Sequence, residues 1–189
     1  MKGARWIAAL LLSLVVLEGH AQQPWKETMD DVLQYMPYVA VGTLKACGVD
    51  SRDDWTQLAV TTAASWVASA SVGYVLKHTV KETRPDGSDQ KSFPSGHALV
   101  AFTGATALHK EFGHISPWIS VAGYGLATAV SVDRVVNQRH YWHDVLAGAG
   151  IGIAATELTW WLSDKVFKNR KEQVSIGFTG TWLDVAIVF

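Results

Sequence analysis

The chain has 189 residues, 49% of them hydrophobic, and carries 16 Lys+Arg against 17 Asp+Glu for a formal net charge of −1. That length and apolar content suit one domain with a substantial core, and the lack of any long basic run argues against a nucleic-acid partner. Cys47 is the one cysteine, which excludes an intrachain disulfide framework and any cysteine-cluster zinc site.

In chain order, residues 1–21 read as a signal peptide. Lys2 and Arg5 form a positive front, residues 7–17 (IAALLLSLVVL) an apolar stretch too short for a comfortable span, and Gly19-His20-Ala21 a small-residue cleavage site. The expectation is export to the bacterial periplasm or cell envelope. Residues 22–172 are then the helical domain, and residues 173–189 a separate tail.

Residues 25–47 begin as an amphipathic helix, with Pro37 a kink or a boundary. Residues 48–55 (GVDSRDDW) are a polar connection. Residues 56–76 run without a charge and predict a closely packed helix. Residues 77–93 are a charged loop punctuated by Pro85 and Asp86-Gly87. A further helix is predicted from about Ser95 to Lys110, followed by a break over 111–117 and an uncharged helix over 118–132. Residues 133–143 are polar and histidine-rich. Residues 144–167 predict a long helix whose Gly148, Gly150 and Gly152 suggest close helix contact. Residues 174–189 alternate and are rich in Val, Ile and Phe, so they predict a short β-like tail. The fold class is therefore all-α, a compact bundle of about five helices.

Residues 56–76 and 112–132 are each long enough to cross a membrane. They are rich in Ala, Ser, Thr and Gly, however, and the mean hydropathy of the chain is only +0.12. Buried helices of a soluble bundle have the same composition, so the reading slightly favours a soluble or peripheral protein over an integral one.

Three polar stretches interrupt the apolar helices. The first holds Lys77 and Arg84-Pro85. In the second, Pro94-Ser95-Gly96-His97, a helix start offers unpaired N–H groups, Ser95 can cap it, and Gly96 lets backbone approach an anion. The third holds Arg134, His140 and Asp144. An i,i+4 aspartate there can hold one imidazole nitrogen and leave the other free to attack, while Arg134 grips phosphoryl oxygens. Taken singly, each has a bland reading: solvated charges, a capped helix with an incidental histidine, a structural His–Asp pair.

Together, in this order and spacing, the three stretches resemble the type 2 phosphatidic acid phosphatase (PAP2) superfamily, which also includes bacterial acid phosphatases and vanadium haloperoxidases. The resemblance covers residues 77–144 by motif. It implies a phosphatase in which His140 is the nucleophile that forms a phosphohistidine, Asp144 orients it, and His97 protonates the leaving alkoxide. It also implies that Lys77, Arg84 and Arg134 neutralise the phosphoryl group, that Ser95 and the Gly96 amide complete the cradle, and that no metal or cofactor is needed. The residue before the family arginine is commonly serine; here it is Asp133, a carboxylate expected to pair with Arg134 or lower the local positive charge. His140-x-x-His143-Asp144 has the look of a metal string, but no metal role is assigned to it, and Asp86-Gly87-Ser88-Asp89 reads as a turn. The expected substrate is a phosphorylated lipid or a small phosphate ester, with membrane association. The alternatives are a vanadate-dependent haloperoxidase and a non-catalytic envelope protein of the same fold.

Overall fold

The computed structural model describes the backbone of residues 31–179 and 182–187 and the side chains of residues 31–167; the expected signal segment lies outside the described residues. The body is all-α. Its helices are α1 (Met36–Ala46), α2 (Trp55–Thr79), α3 (Gly96–Phe112), α4 (Pro117–Val136) and α5 (Trp142–Gln173). Strands β1 (Val174–Thr179) and β2 (Trp182–Ile187) follow, paired antiparallel with Val174 opposite Ile187.

The helix starts follow from local chemistry. Asp54 accepts the Gln57 amide at 2.9 Å and opens α2, while Ser95 accepts the Ala98 amide and opens α3. Ser116 accepts the Trp118 amide ahead of Pro117, which needs no amide partner in the first turn of α4. Pro37 likewise sits in the first turn of α1, so it marks a boundary and not a kink.

Helix α3 is the axis, packed by α1, α2, α4 and α5. Its Ala98, Ala101, Ala105 and Ala107 are fully buried, which lets neighbouring backbones come close. Two glycines of α5 use that space. A Cβ on Gly148 would lie 2.4 Å from the Ser95 carbonyl oxygen, and one on Gly152 would lie 2.6 Å from that of Leu99. Gly150 has open space instead, so the close contact belongs to Gly148 and Gly152 alone of that trio.

The polarity of α2 is inverted relative to a soluble helix. Gln57, Thr61, Ser65, Ser69 and Gly73 are its inward stripe, repeating every fourth residue. Thr61 hydrogen-bonds Ser163 at 2.6 Å and Ser65 hydrogen-bonds Thr159, so small hydroxyl residues join α2 to α5. The outward face carries Val60, Trp66, Val67, Val72, Tyr74 and Val75. Small and hydroxyl residues inside with large apolar residues outside is how helices pack within a bilayer.

This arrangement corrects the slight preference for a soluble or peripheral protein. Trp55–Thr79, Pro117–Val136 and Trp142–Phe167 are long and apolar enough to cross a membrane, and only 28% of the apolar window in each is buried within the protein. A soluble bundle would bury those windows; here they face outward, which points to an integral membrane protein. Trp160 is core, whereas Trp118, Trp142 and Trp161 are exposed.

A second polar cluster closes the end of α3 away from Gly96. Lys45 Nζ donates to Ser51 Oγ at 2.6 Å and to the Asp53 carbonyl, and the Asp53 amide donates to Glu111 Oε2 at 3.3 Å. Arg52 pairs with Asp164 at 2.5 Å. These contacts pin the α1–α2 connection to α3 and α5.

Candidate active site

The polar residues gather where α2 and α4 end and α3 and α5 begin. Lys77 lies in the last turn of α2 and donates to the Lys91 carbonyl at 3.0 Å. Arg84 is held in the following loop by Asp89, Nε to Oδ1 at 2.9 Å. Asp86-Gly87-Ser88-Asp89 is a turn, with Gly87 at φ +74° and the Ser88 amide on Asp86 Oδ1. Its two aspartates hold arginines: Asp89 holds Arg84, and Asp86 holds Arg139 at 3.1 Å.

Ser95 and Gly96 open α3. The Ser95 amide donates to the Asp144 carbonyl at 3.0 Å, so its backbone ties α3 to α5 and is already used. Ser95 Oγ caps its own helix. A Cβ on Gly96 would meet nothing within 4 Å, so this first-turn backbone faces open space.

Arg134 is buried in the last turn of α4, and its carbonyl accepts the amides of Arg139 and His140 at 2.9 and 3.2 Å. That turn sets the height of His140 relative to Arg134. Asp133 Oδ2 accepts from Asn137 Nδ2 at 2.8 Å, a local contact that closes the end of α4.

His140 and Asp144 form the centre. Asp144 is fully buried and His140 is 3% exposed, with His140 Nδ1 3.5 Å from Asp144 Oδ2. This is close enough for electrostatic orientation and longer than a formed hydrogen bond. Asp144 Oδ2 also accepts the Ser92 hydroxyl at 2.5 Å and the Tyr141 amide at 2.9 Å. With Nδ1 turned to the aspartate, Nε2 is the nitrogen left for chemistry. Burial, then the charges of Lys77 and Arg84, push the His140 imidazole down to about 4 against the opposing pull of Asp144. It is therefore neutral at pH 7, with a lone pair to give. Lys77, Arg84, Asp144 and Arg134 all act on this one ring, so the residues read from the three separate stretches converge.

His97, in the first turn of α3, is partly exposed. Its Nε2 lies 2.8 Å from Asp31 Oδ1, which places a proton on Nε2 and leaves Nδ1 available. Burial and Arg134 hold its imidazole below the ordinary histidine value, while Asp31 pulls it back up.

Sequence reasoning missed Ser92, Asp31 and Glu82. Glu82 accepts from His143 Nε2 at 2.8 Å and bridges to Lys91, joining the Arg84 loop to α5. None of the three carries a spacing signal, because their partners are 52 to 66 residues away.

Comparison with known proteins shows the family. A family model described as the PAP2 superfamily matches residues 55–168. The chain is similar to a lipid A 1-phosphatase of Porphyromonas gingivalis, 38% identical over 142 residues, which is 75% of this chain and 32% of that protein. It is also similar to an undecaprenyl-diphosphatase of Sulfolobus acidocaldarius, 32% identical over 108 residues, which is 51% of this chain and 50% of that protein. The chain thus spans only a third to a half of these curated relatives. The fold resembles the crystal structure of Aquifex aeolicus LpxE, with a TM-score of 0.55 at 23% identity over 79% of this chain and 94% of that one. It also resembles a transmembrane PAP2-type phosphatidylglycerolphosphate phosphatase of Bacillus subtilis, with a TM-score of 0.53 at 20% identity over 87% and 88%.

Proposed function

The chain belongs to the PAP2 superfamily, and from that membership we propose that it hydrolyses a lipid phosphate or lipid diphosphate through a phosphohistidine on His140. The observation that carries the reading is the convergence of Lys77, Arg84, Arg134 and Asp144 on a buried, neutral His140. The site lies at the ends of helices apolar enough to span a membrane.

His140 Nε2 attacks phosphorus, forming an N–P bond as the P–O bond to the leaving group breaks. His97, as the imidazolium with Nε2–H held by Asp31, gives its Nδ1 proton to the departing oxygen and is left neutral. Water then attacks the phosphohistidine, His97 takes a proton from it, and inorganic phosphate leaves as His140 is regenerated. Asp144 fixes the His140 tautomer and stabilises the positive charge the ring gains on phosphorylation. Lys77, Arg84 and Arg134 spread charge around the transferring group, and the Gly96 backbone at the start of α3 faces the space where its oxygens sit. Ser95 contributes by capping α3 and by its hydroxyl proton. The residues themselves supply nucleophile, acid and cations, so the reaction requires no metal.

A lipid substrate is favoured because the site sits at the termini of outwardly apolar helices, and because relatives named for lipid A and undecaprenyl diphosphate align with it. The test uses the full chain in detergent micelles, without added metal, on matched lipid and water-soluble phosphate esters. Phosphate release is expected from the lipid, with His140→Ala abolishing it and His97→Ala slowing it. A full rate in His140→Ala would sink the covalent mechanism. Activity confined to soluble esters would remove the lipid assignment.

A further inference from the structure

Beside the catalytic pair lies a second constellation that the proposed reaction does not use. Glu82 Oε1 is 2.8 Å from His143 Nε2, and His143 Nε2 is 3.2 Å from Asp144 Oδ1. The three ligand atoms all lie within 4.8 Å of one another. Asp144 is fully buried with Oδ2 occupied by Ser92 and Tyr141, while its Oδ1 is a buried oxygen that accepts no hydrogen bond. A buried carboxylate oxygen without a hydrogen bond is costly. Here it is aimed at an imidazole nitrogen that a second carboxylate also faces.

We propose that Glu82, His143 and Asp144 form an inhibitory binding site for a divalent transition-metal ion of the zinc class. One imidazole nitrogen and two carboxylate oxygens are the donor set zinc accepts, with water as a fourth ligand. Magnesium and calcium, which prefer oxygen donors, are poorly served by a histidine. At zinc bond lengths of about 2.0–2.2 Å, tetrahedral ligand atoms stand roughly 3.3–3.6 Å apart. The Glu82–His143 contact therefore opens slightly as the ion replaces the Nε2 proton. The imidazole is held for this by two neighbouring rings: Tyr141 stacks on it at 5.4 Å and Phe93 at 6.3 Å. His143 is more than half exposed, which gives the ion an approach from solvent.

Inhibition follows from the shared ligand. The carboxylate that would hold the metal through Oδ1 is the one whose Oδ2 orients His140. A dication there withdraws negative charge from His140 Nδ1 and opposes the positive charge that ring gains when phosphorylated. This consequence for rate rests on the proposed phosphohistidine reaction; binding of the metal does not. The linear motif showed His143 and Asp144 only as neighbours. Glu82, 61 residues before His143, turns the pair into a three-ligand site, and the fold alone brings it there.

The test uses chelator-treated full-length protein in micelles, with two readouts. Zinc binding is measured by competition against a chromophoric chelator, and phosphate release is measured across a zinc titration, with chelator added back for reversal. The expected result is one zinc per chain, with reversible loss of activity over the same concentrations. Glu82→Gln and His143→Gln, whose amide nitrogen reaches the position of Nε2, should keep most of the metal-free rate. They should raise the zinc midpoint at least about tenfold in both readouts. Equal midpoints in wild type and both variants would overturn the site. Zinc binding that the variants weaken, without any effect on rate, would overturn the inhibitory role. If the protein released no phosphate under any condition, binding would still be read, so failure of the proposed function and failure of the site are separable.

Discussion

Ser92 donates its hydroxyl to Asp144 Oδ2 at 2.5 Å, and that same oxygen faces His140 Nδ1 at 3.5 Å. Ser92 is fully buried in the loop ahead of α3, so a residue at the end of the charged 77–93 loop fixes the carboxylate of the third polar stretch. The Tyr141 amide joins it on the same oxygen. The aspartate thus arrives at the histidine already oriented from two sides.

Ser92→Ala removes one of those two donors. A hydrogen bond to a charged group contributes about 1.5–3 kcal/mol, so phosphate release should fall by about 10- to 100-fold in kcat. KM should change little, because Ser92 touches Asp144 and no cation of the phosphate cradle. A variant with wild-type kcat would show that the Tyr141 amide alone suffices.

Asp31 is a positioning residue for His97. It holds Nε2 at 2.8 Å and opposes the burial and the Arg134 and Arg84 charges that lower the His97 imidazole. A general acid must be protonated, so its loss of activity appears on the alkaline side of the pH profile. Asp31→Asn removes a stabilising charge, the His97 imidazole drops further, and the alkaline limb of kcat should move to lower pH. Asp31→Glu should restore much of the profile. A uniformly lower rate with an unmoved limb would reduce Asp31 to a packing role.

The grouping of the candidate residues was legible in sequence because most of them sit at helix ends, where a short motif fixes local geometry. Pro94-Ser95-Gly96-His97 is a helix start wherever it folds, and His140 with Asp144 reaches one face across a single turn. The contacts that tune those residues were not legible. Ser92 to Asp144, Asp31 to His97 and Glu82 to His143 cross 52, 66 and 61 residues of chain and depend on tertiary packing. Asp133 differs for a local reason: its neighbour in sequence is Arg134, yet its side chain accepts from Asn137, one turn further on. The membrane reading failed for a different reason. Composition averages over both faces of a helix, so Ser65 and Ser69 offset Val67 and Val72. Only the fold shows that the serines face inward and the valines outward.

Gly148 is where α5 touches the start of α3. A Cβ there would lie 2.4 Å from the Ser95 carbonyl oxygen and 3.1 Å from the Leu99 amide nitrogen, both backbone atoms. Gly148→Ala must therefore push apart the helix bearing His97 and the helix bearing Asp144. Overpacking of this kind costs about 1–3 kcal/mol. The expected result is a lower thermal midpoint together with a loss of phosphate release. Gly150→Ala, two residues along and facing open space, should leave both near wild type. Equal behaviour of the two variants would contradict the packing.

Val67 tests the membrane correction. It lies midway along α2, is 55% exposed, and stands in a run of 21 residues, 56–76, that contains no charge. On a soluble protein an exposed Val→Lys change is close to neutral, within about 0.5 kcal/mol. At the centre of a membrane helix a lysine costs roughly 2.5–3.5 kcal/mol on insertion scales. Val67→Lys should therefore sharply reduce the protein recovered in membranes after alkaline extraction. Lys77, at the helix end with its ammonium on the Lys91 carbonyl, is tolerated because it lies beyond that apolar run. The inward substitution Ser65→Ala tests the other face. It removes the hydroxyl contact to Thr159 without adding a charge, so it should lower stability while leaving membrane recovery intact. Wild-type recovery of Val67→Lys, with full activity in the aqueous fraction, would return the chain to the soluble class.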